Sequence, residues 1–187
     1  MRNWPLHTKA LVESIGSQRL LHFVLAVDDG KPRHEYDEPV RFVINASELS
    51  DYVKVARFLN ESEASVVSLQ HEYGIFGGDR GSHILTSSSL LRKPMVATFH
   101  TVLSKPPQLA ARIVRELVSA SKCVIVTLEK AADLLIERYE VPDKKIAVIQ
   151  HGAQIPTSRD PSIEKANLNL SEKRIALIWD SSARRRV

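Results

Sequence analysis

The chain has 187 residues, 43% of them hydrophobic and 26% charged, with a formal net charge of +4; this length carries one domain with a real core and is short of two full-sized α/β lobes. No apolar run approaches the roughly 18 residues a membrane span requires, and Met1-Arg2-Asn3-Trp4-Pro5 leads into no secretory leader, so a cytoplasmic chain that does not span a membrane is expected. The single cysteine, Cys123, excludes disulfides and a cysteine-built zinc site, and much of the positive charge sits in the tail Arg184-Arg185-Arg186, so specific nucleic-acid binding is not expected.

In chain order, the segment from Pro5 to Ser17 reads as a helix with Leu6, Ala10, Leu11 and Ile15 on one side, as if the chain began inside a βα unit whose strand is missing. The run 20–27 is the first expected strand, and Val40 to Ile44 the second. Leu49, Tyr52, Val53, Ala56 and Leu59 then fall at helical spacing, with Asn45 and Glu48 offering a capping-box-like start. A third strand is expected over 65–69, followed by a loop, 70–81, with four glycines; Ser87-Ser88-Ser89 falls on a helix. Strands over 95–99, 123–126 and 146–149 follow. They are separated by a helix opening at Pro107 with Leu109, Ile113, Val114 and Leu117 on one face, and by another carrying Leu128, Ala131, Ala132, Leu135 and Tyr139. Beyond Gly152 the pattern dissolves into a Pro- and Ser-containing stretch, with one more apolar run at 175–179.

Wholly apolar strands alternating with helices predict an α/β fold, a Rossmann-like, doubly wound parallel sheet with right-handed crossovers. In such sheets ligands bind at the carboxyl ends of the strands, where loop amides and helix N-termini converge. That edge carries the loop from His71 through Glu72 to Gly77 and Gly78, then His100 and Thr101, Thr127 and Glu129, and His151 and Gly152. Glycines there let a backbone approach a phosphate or a sugar hydroxyl, or simply make a surface turn. His100 could hydrogen-bond an acceptor hydroxyl or a phosphate. Thr127 could cap the next helix and Glu129 complement its dipole, or both could touch ligand. His71, His100, Thr127 and His151 are expected to line one cleft. The seven histidines lie on separate segments without paired zinc spacing, so no metal site is expected. No Walker loop, G-x-S-x-G elbow or G-x-G-x-x-G fingerprint occurs.

Three ordered blocks, Leu69-Gln70-His71-Glu72-Tyr73-Gly74-Ile75-Phe76-Gly77-Gly78, Thr98-Phe99-His100-Thr101-Val102-Leu103 and Ile149-Gln150-His151-Gly152, together resemble the amino-terminal domain of the family 4 retaining glycosyltransferases. The resemblance runs from about residue 20 to about residue 155. It implies a GT-B architecture in which one Rossmann-like lobe shapes the acceptor site and a second, carboxy-terminal lobe binds a nucleotide sugar, the donor substrate, with no other cofactor. By the same resemblance His100 matches a catalytic histidine at the donor–acceptor junction, the loop from His71 to Gly78 shapes the acceptor side, and His151-Gly152 begins the interdomain hinge. The glycine-rich loop after the family's first strand and its E-x7-E-type motif have no counterpart here. Residues 1–155 are therefore expected to be one lobe lacking its first strand, and 156–187 a linker with the start or remnant of a second. Its expected partners are a sugar or glycan acceptor and the missing donor lobe, with self-association through the face that lobe would cover, and it is expected to be inactive alone. The competing expectation is a noncatalytic Rossmann-like module that binds a ligand or a partner.

Overall fold

In the computed structural model, residues 22–29, 36–151, 160–167, 169–171 and 173 are described. The expected helix over 5–17, the apolar run at 175–179, the basic tail and Gly152 lie outside them. The chain divides into two compact units, Met1–His151 and Gly152–Val187.

The first unit is an α/β, Rossmann-like fold. Strands β1 (Val24–Asp28) and β2 (Val40–Asn45) pair parallel, and α1 (Leu49–Glu61) follows them. A four-stranded parallel sheet comes next, ordered β3 (Val67–His71), β4 (Met95–Phe99), β5 (Cys123–Val126) and β6 (Ile146–Val148). Its crossovers run through α2 (Ile84–Leu90), α3 (Gln108–Ala120) and α4 (Glu129–Tyr139). In the second unit, α5 (Pro161–Asn167) starts where the Asp160 carboxylate accepts hydrogen bonds from the Ser162 amide and hydroxyl.

Register fixes what each face of the four-stranded sheet carries. Leu69 pairs with Ala97 and Ala97 with Val124, while His71 pairs with Phe99 and Phe99 with Val126. Paired residues share a face, and side chains alternate along each strand. The face holding Met95, Ala97, Phe99, Val124 and Val126 packs into one core with Tyr52, Val55 and Leu59 of α1, Ile84 of α2, Ile113, Val114 and Leu117 of α3, and Leu135 and Tyr139 of α4. Each fully buried Ile, Leu or Val contributes about 1.5–3 kcal/mol by leaving water. The opposite face carries Ser68, Gln70, Val96, Thr98, Cys123 and Ile125; Cys123, at half-burial, is a free thiol.

Strand β3 runs two residues further than its apolar stretch. Gln70 pairs with Thr98 and His71 with Phe99, and the His100 amide extends the ladder by donating to the His71 carbonyl at 3.1 Å. The ladder is made by backbone groups, so polar side chains do not end it.

Helix ends are closed by specific donors. The capping-box expectation at Asn45 holds only in part: the Asn45 side chain accepts from the Ser47 amide, and the Asn45 amide donates to Asp51 instead of Glu48. Asp51 reaches because it lies in the first turn of α1, whereas Glu48 is the N-cap residue itself. Helix α4 begins at the N-cap Leu128 with no side-chain cap, so Thr127 does not cap it. The ammonium of Lys145 donates to the carbonyls of Val118 (2.9 Å) and Ser121 (3.0 Å) at the end of α3, and Lys93 does the same for Ser62 (2.7 Å) after α1. Cations there complement the helix dipole. Each of Ser87, Ser88 and Ser89 closes its hydroxyl onto the carbonyl three residues earlier, which lets three serines sit in one short helix.

Candidate functional site

The carboxyl edge of β3, β4 and β6 brings together Gln70, Glu72, His100, Thr101 and His151. His100 follows β4 directly and is half-buried. Its Nε2 lies 2.9 Å from Gln70 Oε1, and its ring stacks on that of His151 at a centroid distance of 5.8 Å and an interplanar angle of 15°. His151 is exposed, three residues beyond the end of β6. Next to this pair, Thr101 Oγ1 donates to Glu72 Oε2 at 2.9 Å, and the Tyr73 amide donates to Glu72 Oε1 at 2.8 Å. Glu72 therefore ties the start of the glycine-rich loop to the segment after β4 with both carboxylate oxygens.

His71 is not in this group. It is 1% exposed, and its ring is packed among Tyr73, Phe76 and Phe99 at centroid distances of 5.3, 5.9 and 5.2 Å. Because His71 belongs to the strand, alternation turns its side chain to the helix-covered face that Phe99 shares. Burial pulls its pKa down to about 4, so the ring is neutral at ordinary pH, and Nδ1 has no hydrogen-bond partner among the described residues. Its neighbour Tyr73 is pushed well above the usual tyrosine range, first by burial and then by Tyr139 beside it. The expected convergence of His71 with His100 and His151 on one cleft is corrected accordingly: His71 is a buried support beneath the loop.

The glycines hold the loop down. A Cβ on Gly77 would meet the Ala46 carbonyl oxygen at 1.6 Å, so only glycine fits where the loop crosses the turn after β2. The Gly77 amide donates to Tyr52 Oη (3.0 Å), and Tyr52 Oη donates to the Ala46 carbonyl (3.1 Å). That carbonyl also lies 3.3 Å from His83 Nδ1, which must donate there because a carbonyl only accepts. The Gly77 amide is thus already committed within the protein. Gly78 is exposed and has φ of 78°, in the left-handed region that favours glycine. Thr127 is half-buried between β5 and α4, and Glu129 is exposed in the first turn of α4.

Sequence reasoning passed over Gln70 and Asp28. Gln70 donates through Nε2 to Ser68 Oγ (3.0 Å) and Thr98 Oγ1 (3.4 Å) while its oxygen faces His100. The available signal was polar residues at alternate positions, 68 and 70, of an otherwise apolar strand. Asp28, 6% exposed at the end of β1, accepts from the Tyr36 hydroxyl at 3.1 Å. Among the described residues, no three His, Cys, Asp or Glu side chains gather to hold a metal ion, and no helix is long and apolar enough to cross a membrane. A concavity of about 590 Å³ lies elsewhere, between α2 and α3, lined by residues including Thr86, Ser89, Arg112 and Glu116.

The family model described as Glycosyltransferase Family 4 matches residues 18–155. No curated protein matches the chain. Among solved structures, a glycosyltransferase from Rickettsia africae ESF-5 is similar, with 16% identity and a TM-score of 0.49, over 86% of this chain and 39% of that one. The chain therefore spans well under half the length of that protein.

Proposed function

The chain belongs to glycosyltransferase family 4, and on that premise we propose that its first unit is the acceptor-side lobe of a retaining, nucleotide-sugar-dependent hexosyltransferase of GT-B architecture. The observation that carries this reading is the cluster of His100, His151, Thr101 and Glu72 at the carboxyl edge of the parallel strands, where α/β folds gather their ligands. His100 meets the acceptor hydroxyl. The Glu72–Thr101 pair and His151 shape the surface on which the sugar or glycan lies. In the transfer, the bond from the anomeric carbon to the phosphate oxygen breaks, the acceptor oxygen bonds to that carbon, and the hydroxyl proton leaves with the diphosphate. Stabilising the leaving diphosphate takes hydrogen-bond donors aimed at it, and this reading assigns them to a second lobe, so the chain alone is inactive.

The test is acceptor binding mapped by NMR on the chain itself, alongside turnover of a panel of sugar nucleotides. The reading expects glycans to perturb His100, Thr101 and His151, with no turnover. It fails if glycans bind nowhere near these residues. A noncatalytic binding module is favoured by the groove between α2 and α3, and ligand perturbations confined to Arg112 and Glu116 would support that alternative.

A further inference from the structure

We infer that Gln70 is a positioning residue for His100, holding its imidazole as the Nε2–H tautomer so that Nδ1 is the ring's acceptor. The role of His100 toward an acceptor rests on the reading above, but the tautomer is measured without any sugar, so the two claims fail separately.

The placement follows from register. Gln70 pairs with Thr98, so both lie on the sheet face opposite the helix-packed core, and His100, two residues beyond Thr98, comes up on the same side. A carboxamide has a donor end and an acceptor end. Here the amide nitrogen lies 3.0 Å from Ser68 Oγ and 3.4 Å from Thr98 Oγ1, which accept from it, and the oxygen lies 2.9 Å from His100 Nε2. An amide oxygen cannot donate, so the hydrogen in that contact belongs to the ring. A neutral imidazole carries one N–H, and Nδ1 then holds the lone pair. Stacking on His151 at 15° sets the ring plane, and Gln70 sets which nitrogen is protonated within it. The strand residues Ser68 and Gln70 thus have a purpose that sheet packing does not supply. Among the titratable groups nearby, His151 stacks on the His100 ring, Glu72 binds the adjoining Thr101, and His71 is bonded to His100 through the backbone.

The experiment is long-range proton–nitrogen NMR of the histidine rings in the wild-type chain, Gln70→Leu and Gln70→Glu, with His100 assigned by its loss in His100→Asn. Wild-type His100 is expected as the Nε2–H form. Gln70→Leu should leave a mixture of tautomers, and Gln70→Glu should raise the titration midpoint of His100 by about one unit or more, because a carboxylate against Nε2 favours the imidazolium. His83, held as the Nδ1–H form by the Ala46 carbonyl, is the internal control for folding and should not change. An Nδ1–H wild-type His100, or an unmoved midpoint in Gln70→Glu with His83 intact, overturns the inference. Where Gln70→Leu fails to fold, the nearly isosteric Gln70→Glu carries the test.

Discussion

His71 and His100 are joined across β3 and β4 by a backbone hydrogen bond of 3.1 Å, yet their side chains lie on opposite faces of the sheet. One ring is sealed among Tyr73, Phe76 and Phe99, and the other sits at the half-exposed edge with Gln70 and His151. Two residues that look alike as histidines after apolar strands therefore divide into one sealed in the core and one at the half-exposed edge of the sheet. The division comes from where the strand ends, because one residue of strand periodicity reverses the face.

The buried ring makes stability depend on pH. The unfolded chain protonates His71 near the ordinary histidine value of about 6.5, while the folded chain holds it neutral down to about 4. A group with a depressed folded pKa that is neutral when deprotonated gives stability that is complete above the unfolded value. It is lost as pH falls from about 6.5 toward 4, by about 3 kcal/mol at the low end. Urea unfolding between pH 4 and 7.5 should show this slope in the wild type and a shallower one in His71→Leu. Equal slopes in the two proteins would exclude His71 as its source.

Gly77→Ala should displace the loop, since no rotation relieves a methyl group 1.6 Å from a backbone oxygen. A loss of about 1–3 kcal/mol is expected from the clash and the broken Tyr52 contact. Gly74→Ala is the comparison: it meets nothing within 4 Å and carries only the strain of its φ of 85°. Denaturation midpoints that place the two variants together would contradict the close-packed role of Gly77.

Much of the fold was legible because buried parallel strands write themselves as short apolar runs, and 95–99 and 123–126 were read to their ends. The third strand was read as stopping at Leu69, because Gln70 and His71 interrupt the apolar run, whereas its ladder continues on backbone groups to His71. That error of two residues moved His71 into a loop and hid its face. Gly77 shows another limit: a glycine signals a close approach, but only the fold reveals that the approaching group is the Ala46 carbonyl and not a ligand. Gln70 was missed because its partners, Ser68, Thr98 and His100, meet only through strand pairing. Segments 5–17 and 175–179 and residue Gly152 fall outside the described residues.

Leu117→Ala should cost about 2–5 kcal/mol. Leu117 is fully buried on the core face of α3, among residues that pack against β4 and β5. Truncating it leaves a cavity that the flanking strands, fixed by their ladders, cannot close. A thermal or urea midpoint shift worth less than about 1 kcal/mol would mean that α3 can settle toward the sheet.

The last expectation concerns Glu72 and Thr101, which meet at 2.9 Å and join the loop after β3 to the segment after β4. Because the other carboxylate oxygen is held by the Tyr73 amide, the carboxylate is fixed at both ends, and the Thr101 hydroxyl has a defined acceptor. Removing either partner frees the same link. Glu72→Gln and Thr101→Val should each weaken acceptor binding, and the double variant should lose less than the sum, with a coupling of about 0.5–1.5 kcal/mol for residues in direct contact. Glu72→Gln retains an oxygen for the Tyr73 amide, so its effect reports mainly on the Thr101 side. Stability should move less than binding, since both residues are half-exposed and outside the core. Isothermal titration of a glycan acceptor against the four proteins of the cycle measures the coupling. Strictly additive losses would show that the two residues act separately, and unchanged affinity in all three variants would remove the pair from the acceptor surface.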